Sequence, residues 1–259
     1  MITLFEHPLS PYAQKVKLAL YEKGIEFESK LPDILGGGDA AFHETSPRRE
    51  VPSIVDGDAA IFDSTIILEY LEDKWPTPAM LPLTPLERAR VRMLEEMCDT
   101  YYEAINWALY EVRVFGRAKG DLADRLVARA GEQIAGANAW LEHRLGVGDW
   151  FNGTQFGWGD LSVFPVVNAA AFNGFPPTPG SRLADWLQRM QLRASVQKVM
   201  AAAMESMAGF EALPQIIESG HFVREYRDHR LEWMLRSGGV DIVLDGMKRK
   251  NIRFSVELG

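Results

Sequence analysis

Four prolines between residues 76 and 85 separate two stretches of the chain whose hydrophobic patterns differ. Before these prolines, strand patterns alternate with helical ones; after them, the patterns are almost wholly helical up to residue 210. Closely spaced prolines form stiff linkers of the kind that join domains. We therefore predict an α/β domain (residues 1–76), a linker (77–85), an all-helical domain (86–212) and a C-terminal extension (213–259).

The first part has the order of elements found in thioredoxin-like folds. A short apolar strand precedes a helix that begins at Ser10-Pro11 and ends at Gly24, positions where proline and glycine are each favoured. Asp56-Gly57-Asp58 is a turn signal between two later strands, and Asp63-Ser64 caps another helix. The predicted strands are Met1–Phe5, Ile25–Leu31, Val51–Val55 and Ala60–Phe62.

The second part is predicted to be a bundle of long helices. Its first helical pattern, residues 88–111, contains no proline or glycine. Residues 161–181 carry no charge and resemble a membrane span in length. Several prolines and asparagines interrupt that stretch, so its beginning is better interpreted as a buried helix. The other helices are expected at 121–145, 160–172 and 182–210.

The extension shows two further patterns. Residues 222–237 form an amphipathic helical pattern, and Gly238-Gly239 ends it. Val240, Ile242 and Leu244 then alternate with Asp241 and Val243, and apolar residues alternate strictly with polar ones over 252–258. The two segments together predict a β-hairpin. The predicted fold is therefore an α/β thioredoxin-like domain plus an all-α domain, with a helix and β-hairpin tail.

Composition narrows the classes of partner and cellular location. The formal net charge is −8, which disfavours nucleic acid as a partner because phosphate recognition needs a positive surface. Cys98 is the single cysteine, so the chain has no internal disulfide, and the five histidines are dispersed without a metal-binding pattern. We find no signal peptide pattern at the N-terminus and expect a cytoplasmic protein without a metal.

Three segments carry a resemblance to a known family. They are Ser10–Leu20 with Glu22–Ile25, then Ser46–Pro52, and then Phe62–Leu71. In order and spacing they resemble the glutathione-site segments of bacterial glutathione S-transferases with a serine-type active site, similar to the tau, zeta and theta classes. The resemblance covers about residues 1–210, is most specific over the first 75, and leaves the C-terminal extension unexplained.

The resemblance implies a role for each segment. Ser10 would donate a hydrogen bond to the sulfur of glutathione, and its place at a helix N-terminus would stabilise a thiolate. Val51, before a cis-proline, would pair with the peptide backbone of the ligand. Asp63 would accept from the ligand's ammonium group, and Ser64 with the helix N-terminus would bind its carboxylate. Glu50 occupies a position where relatives carry Lys or Gln.

A carboxylate at Glu50 would repel the glycyl carboxylate of glutathione unless Arg48 or Arg49 compensates. Glu50 remains among the candidate glutathione contacts. Asp99 corresponds to an acidic residue that approaches the ligand's ammonium group from the neighbouring subunit of a homodimer. That pairing of subunits is implied by the resemblance alone.

Aromatic residues are candidates for the pocket of the second substrate. Tyr12 has three open interpretations: it points toward the sulfur, lines this pocket, or packs against the helical domain. The candidates on the long helix and just after it are Tyr101, Tyr102, Trp107, Tyr110 and Phe115.

The function implied is transfer of the glutathione sulfur to a small apolar electrophile, with glutathione as co-substrate. Ether cleavage or dehalogenation by the same thiolate is not distinguished from conjugation. Disulfide exchange is disfavoured, because relatives that perform it carry Cys where this chain has Ser10. A non-catalytic binding protein on the same fold is the remaining alternative. No membrane partner is expected.

Overall fold

A computed structural model describes residues 1–32, 40–208 and 238–249, together with residues 213, 215, 231 and 235. The Gly36-Gly37-Gly38 segment, which the sequence predicts to be a loop without the features of a phosphate-binding loop, lies outside these residues. The predicted helix at 222–237 lies outside them as well, apart from residues 231 and 235.

The N-terminal part contains a mixed four-stranded sheet in the order β2-β1-β3-β4. β1 and β2 are parallel, whereas β3 is antiparallel to both β1 and β4. The strands are β1 (Ile2–Phe5), β2 (Phe27–Lys30), β3 (Ser53–Asp56) and β4 (Ala59–Phe62). The helices are α1 (Pro11–Glu22), α2 (Ala40–Thr45) and α3 (Ser64–Lys74). The predicted thioredoxin-like arrangement is thereby confirmed.

Helix α1 begins and ends where the residue types favour it. The Ser10 side chain accepts from the backbone N–H of Ala13, and Pro11 occupies the first helical position, where its missing N–H costs nothing. Gly24 follows the helix with φ +65, which glycine adopts without steric cost. The buried face of α1 includes Val16 and Leu20 and packs against α3 within the domain.

The second part is helical throughout the described residues up to 208, apart from its connecting loops. Its helices are α4 (Pro85–Met97), α5 (Glu103–Arg113), α6 (Gly120–Leu145), α7 (Trp158–Phe172), α8 (Arg182–Gln191) and α9 (Ala194–Ser206). A π-helical turn, Cys98–Tyr102, joins α4 to α5. The predicted all-helical domain is confirmed. In the described residues no helix is both long enough and apolar enough to cross a bilayer.

Helix α7 forms the centre of the helical domain and is buried along most of its length. The Asp160 carboxylate accepts from the backbone N–H of Gly157 (3.0 Å) and Phe151 (2.9 Å) and from Trp186 Nε1 (2.8 Å). A side chain at Gly157 would overlap Asn152 Nδ2 and the carbonyl oxygen of Met80. Close packing therefore explains why glycine, which has no side chain, precedes this helix.

The two parts meet along α1. This helix packs against α7 and α9 of the helical domain as well as against α3. The contact includes buried charges, among them Lys15 at 1% exposure. Helix α1 therefore links the start of the sheet domain to the core of the helical domain.

The prediction of a β-hairpin in the extension is wrong for the first of its two strands. Residues Val240–Arg249 form a helix, α10, and the second predicted strand (252–258) lies outside the described residues. Asp241 in the first turn and Lys248 and Arg249 in the last complement the helix dipole. The apolar positions 240, 244 and 247 also repeat with helical spacing, so alternation over five residues did not discriminate between the two structures.

Candidate active site

Ser10 lies in the loop after β1, at the N-terminus of α1. Its Oγ accepts from the backbone N–H of Ala13 (3.3 Å), which leaves the hydroxyl proton to be donated to an incoming group. Two side-chain contacts fix the loop: His7 Nδ1 accepts from the N–H of Leu9 (3.2 Å), and Gln14 Nε2 donates to the carbonyl of Pro8 (2.7 Å). Burial lowers the pKa of His7 despite the opposing effect of the neighbouring Glu6.

The second segment lies at the start of β3. The Val51–Pro52 peptide bond is cis, as the resemblance implied. Ser46 is buried and holds the adjacent backbone, because its Oγ accepts from the N–H of Glu50 (3.1 Å) and donates to the carbonyl of Glu50 (3.0 Å). The Glu50 carboxylate pairs with Arg48 Nε at 2.5 Å. Arg48 thus supplies the compensating charge.

The third segment is the start of α3. Asp63 caps this helix and accepts from the N–H groups of Thr65 (3.0 Å) and Ile66 (3.4 Å). Its φ of 75 lies in the left-handed region, which a residue other than glycine adopts at some cost. Ser64 is buried at the first helical position. Arg48 Nη1 lies 3.9 Å from Asp63 Oδ2, so one arginine lies between the second and third segments.

Helical-domain residues form the other wall beside Ser10. The Tyr12 hydroxyl donates to the carbonyl oxygen of Asp99 (2.8 Å), which corresponds to the third of its open interpretations, packing against the helical domain. The carboxyl group of Glu103 also interacts electrostatically with Tyr12. Burial raises the pKa of Asp99 to about 6 and that of Glu103 to about 7. Burial, followed by these two carboxyl groups, also raises the pKa of Tyr12.

Asp99 pairs with Lys15 of the same chain, with 2.5 Å between Lys15 Nζ and Asp99 Oδ2. The resemblance placed Asp99 near the glutathione of a neighbouring subunit. Within one chain, its carboxylate also interacts electrostatically with Asp63. Asp99 is therefore close to the candidate glutathione site of its own chain.

The candidate aromatic residues divide between two faces of the long helix. Tyr101 and Tyr102 line a small cavity of about 10 Å³ that faces α6. Tyr102 is buried and its hydroxyl donates to Asn138 Oδ1 (2.7 Å), so it is a core residue and not a pocket candidate. Tyr110 interacts electrostatically with Glu103, on the Tyr12 side. Trp107 follows Glu103 by one helical turn and contacts Phe115 edge-on, with 6.3 Å between ring centroids. The structure brings Tyr12, Trp107 and Tyr110 toward one side and separates Tyr101 from them.

Comparison with known proteins agrees with this geometry. The family models named glutathione S-transferase N-terminal domain and C-terminal domain match residues 4–79 and 124–189, together more than half of the chain. The chain belongs to the glutathione S-transferase family. A glutathione S-transferase of Pseudomonas putida is 29% identical over 226 residues, which cover 85% of this chain and 99% of the relative.

The chain is also similar to a solved glutathione S-transferase structure and to a relative with a different name. Rice GST1 in complex with glutathione is 26% identical, with a TM-score of 0.69 over 83% of this chain and 97% of the rice chain. The stringent starvation protein A homologue of Coxiella burnetii is 34% identical over 94 residues, or 36% of this chain. The match spans 44% of that relative's length.

Four residues that join the two domains of this glutathione S-transferase fold were not singled out in the sequence. They are Lys15, Thr65, Glu95 and Trp158, which meet in one buried hydrogen-bonded group. Lysine and glutamate on helices usually indicate solvent-exposed positions. The one available signal is that Lys15 lies within the apolar pattern of α1.

No metal centre accompanies this group in the part of the chain that the structure describes. There, His, Cys, Asp and Glu side chains form no cluster of three able to hold a metal ion. Carboxylates, hydroxyls and the Arg48 guanidinium are polar groups around the candidate glutathione site.

Proposed function

We propose that this chain is a glutathione transferase in which Ser10 stabilises the glutathione thiolate for attack on an apolar electrophile. The observation that carries the proposal is the Ser10 hydroxyl at the N-terminus of α1, with its proton available for donation. A hydrogen bond to an anion, with the partial positive charge of the helix N-terminus, lowers the pKa of a bound thiol. The thiolate is the nucleophile that sulfur transfer requires.

The rest of the ligand would extend from Ser10 toward the start of α3. The backbone of Val51 would pair with the cysteinyl part of glutathione. Asp63 and Ser64 would bind the γ-glutamyl end, at a helix N-terminus suited to a carboxylate. Because Arg48 already neutralises Glu50, the glycyl carboxylate would meet an ion pair and no isolated negative charge.

The experiment for this proposal has two steps. Capture on immobilised glutathione with elution by free glutathione tests binding, and turnover with a chlorinated dinitrobenzene then tests transfer. Product analysis on aryl ethers and haloalkanes separates conjugation from ether cleavage and dehalogenation. A protein that is not captured contradicts the proposal.

A second candidate function is a binding protein on the transferase fold. One match favours this candidate, because that relative is named stringent starvation protein A homologue and its name does not describe a transferase. This candidate predicts capture on glutathione without turnover of any electrophile, or no capture at all.

We further propose a cytoplasmic homodimer. Exposed apolar side chains lie on both domains, on α3 (Ile66, 56% exposed) and on α4 (Met93, 54%). In homodimers of this family each N-terminal domain packs on the helical domain of the other subunit. Such a contact would cover both residues. The single cysteine, Cys98, is buried and suits a reducing compartment.

A further inference from the structure

Glu95 connects three helices through one buried carboxylate. It lies on α4 in the helical domain and is 2% exposed. Its Oε1 accepts from Lys15 Nζ (2.6 Å) and from Thr65 Oγ1 (2.8 Å), and its Oε2 accepts from Trp158 Nε1 (2.6 Å). Both oxygens are thereby occupied, which is the arrangement that a buried carboxylate needs.

Two of these partners belong to helices that begin at the candidate glutathione site. Lys15 lies on α1, whose N-terminus is Ser10, and Thr65 directly follows Ser64 at the start of α3. The proposed ligand has its sulfur at the first helix and its γ-glutamyl end at the second. Glu95 therefore contacts one residue near each of the two helix ends that would bind the ligand.

The charges around Glu95 hold this arrangement together. Burial disfavours the charged form of Lys15, but Asp99 and Glu95 outweigh burial and raise its pKa. Lys15 Nζ bridges the two carboxylates, at 2.6 Å from Glu95 and 2.5 Å from Asp99. Removing the charge of one partner in such a group leaves the others unbalanced in a dry environment.

We propose that Glu95 is a positioning residue for the glutathione site, which aligns Ser10 with the start of α3 while touching neither glutathione nor the second substrate. The proposal rests on the proposed function. The inference goes beyond that function because it assigns control of thiol ionisation to a residue of the helical domain.

Positioning and simple electrostatics predict opposite effects on the bound thiol. Removing a buried negative charge near the site would by itself favour the thiolate and lower the thiol pKa. Misalignment of Ser10 would instead weaken the hydrogen bond to the thiolate and raise the thiol pKa. The sign of the change therefore discriminates between the two.

Glu72 offers a matched control. It is also a nearly buried carboxylate, at 9% exposure, and it also pairs with a lysine, Lys23 (2.7 Å). It accepts from the backbone N–H of Met80 and Leu81, toward the C-terminal end of α3. Glu72→Gln removes the same chemical group far from the helix ends that would bind glutathione.

The experiment compares Glu95→Gln and Glu72→Gln in the full chain. Calorimetry gives the Kd for glutathione, ultraviolet titration gives the pKa of the bound thiol, and thermal unfolding gives Tm. We expect Glu95→Gln to weaken glutathione binding about 10-fold and to raise the thiol pKa by about 1. We expect Glu72→Gln to lower Tm with the Kd and the thiol pKa unchanged.

Thr65→Val keeps the shape of the residue and removes one hydrogen bond to Glu95, so it tests the proposal if Glu95→Gln does not fold. It should weaken glutathione binding several-fold with little change in Tm.

Three results would overturn the proposal. They are a lowered or unchanged thiol pKa in Glu95→Gln, equal effects in both glutamine variants, and an unchanged Kd in Thr65→Val. If the unaltered protein binds no glutathione, the proposed function fails and this inference fails with it; binding without the predicted differences removes this inference alone.

Discussion

Tyr12 and Glu103 connect the start of α1 to the helical domain within two residues of Ser10. The Tyr12 hydroxyl donates to the Asp99 carbonyl oxygen and is therefore engaged away from an incoming sulfur. Glu103 is mostly buried beside this hydroxyl, with Asp99 and Tyr110 as its other titratable neighbours. At the residue scale, the candidate site therefore combines a donating hydroxyl at Ser10 with the partly buried carboxyl groups of Asp99 and Glu103 on the side of the helical domain.

The raised pKa of Glu103 predicts a pH-dependent stability. Its pKa is about 7 in the folded protein against 4.5 for the free group, so between these values the folded state holds a proton that the unfolded chain has released. The free energy of unfolding therefore falls as pH rises through this window. The side chain of Glu103→Gln stays neutral. Between about pH 4.5 and about pH 8, we therefore expect the free energy of unfolding of this variant to fall by on the order of 2 kcal/mol less than that of the unaltered protein.

Urea unfolding at both pH values measures this difference. Asp99 contributes a fall of the same sign in both proteins, since its pKa is also raised, so the difference between them reports Glu103 together with its interaction with Asp99. Glu96→Gln, an exposed position one turn before Thr100, is the control and should behave as the unaltered protein does. An equal fall in the free energy of unfolding of all three proteins would contradict the raised pKa of Glu103.

The residue types of the candidate glutathione site were readable in the sequence because they form short contiguous motifs. Ser10, Val51 and the Asp63-Ser64 pair stand at the starts of a helix or strand, where local rules apply. Lys15 and Glu95 were missed because they are 80 positions apart and their burial depends on how the two domains pack. Charged residues on helices usually indicate solvent-exposed positions, and a single sequence carries no signal of that pairing.

At the scale of elements, local signals identified most helices and strands but not the geometry between them. The pattern over 88–111 predicted one helix, whereas the chain forms α4, a π-helical turn at Cys98–Tyr102 and α5. Asp99 lies in that turn, whose hydrogen bonds differ from those of an α-helix. The error over 240–244 arose because five alternating residues are compatible with either a strand or one face of a helix.

The start of α7 gives a prediction at this scale. Gly157→Ala adds a carbon that overlaps Asn152 and the carbonyl oxygen of Met80, so the segment before α7 must shift. We expect a loss of roughly 1–3 kcal/mol in the free energy of unfolding, the range for overpacked sites, measured by urea unfolding.

Gly24→Ala provides the comparison for this prediction. Open space surrounds the added carbon there, and the cost arises from φ +65 alone, about 1 kcal/mol. A smaller loss for Gly157→Ala than for Gly24→Ala would show that close packing is not what requires the glycine before α7.

At the scale of the whole molecule, the proposed function depends on the junction between the two domains. Helix α1 carries Ser10 at one end and packs on α7 and α9 along its length. The division into two parts followed from the prolines of the linker, but the way the parts pack did not. The proposed homodimer would add a second junction, across α3 and α4.

Substitutions at exposed apolar positions test the homodimer. We expect the unaltered protein to sediment as a dimer at micromolar concentration, and Ile66→Asp or Met93→Glu to weaken association at least about 10-fold, because each removes an apolar side chain from the interface. Leu192→Glu, at a position 77% exposed between α8 and α9, should leave the dimer intact. A monomeric unaltered protein, or equal dissociation by Leu192→Glu, would count against this assembly.

The most direct test of the central claim is ultraviolet titration of the thiol of bound glutathione, paired with turnover, in the unaltered protein and in Ser10→Ala. We expect a thiol pKa well below that of free glutathione in the unaltered protein. In Ser10→Ala we expect retained binding, a higher thiol pKa and turnover reduced about 10- to 150-fold, since one hydrogen bond to an anion is worth roughly 1.5–3 kcal/mol. An unchanged thiol pKa together with unchanged turnover in Ser10→Ala would contradict the role proposed for Ser10.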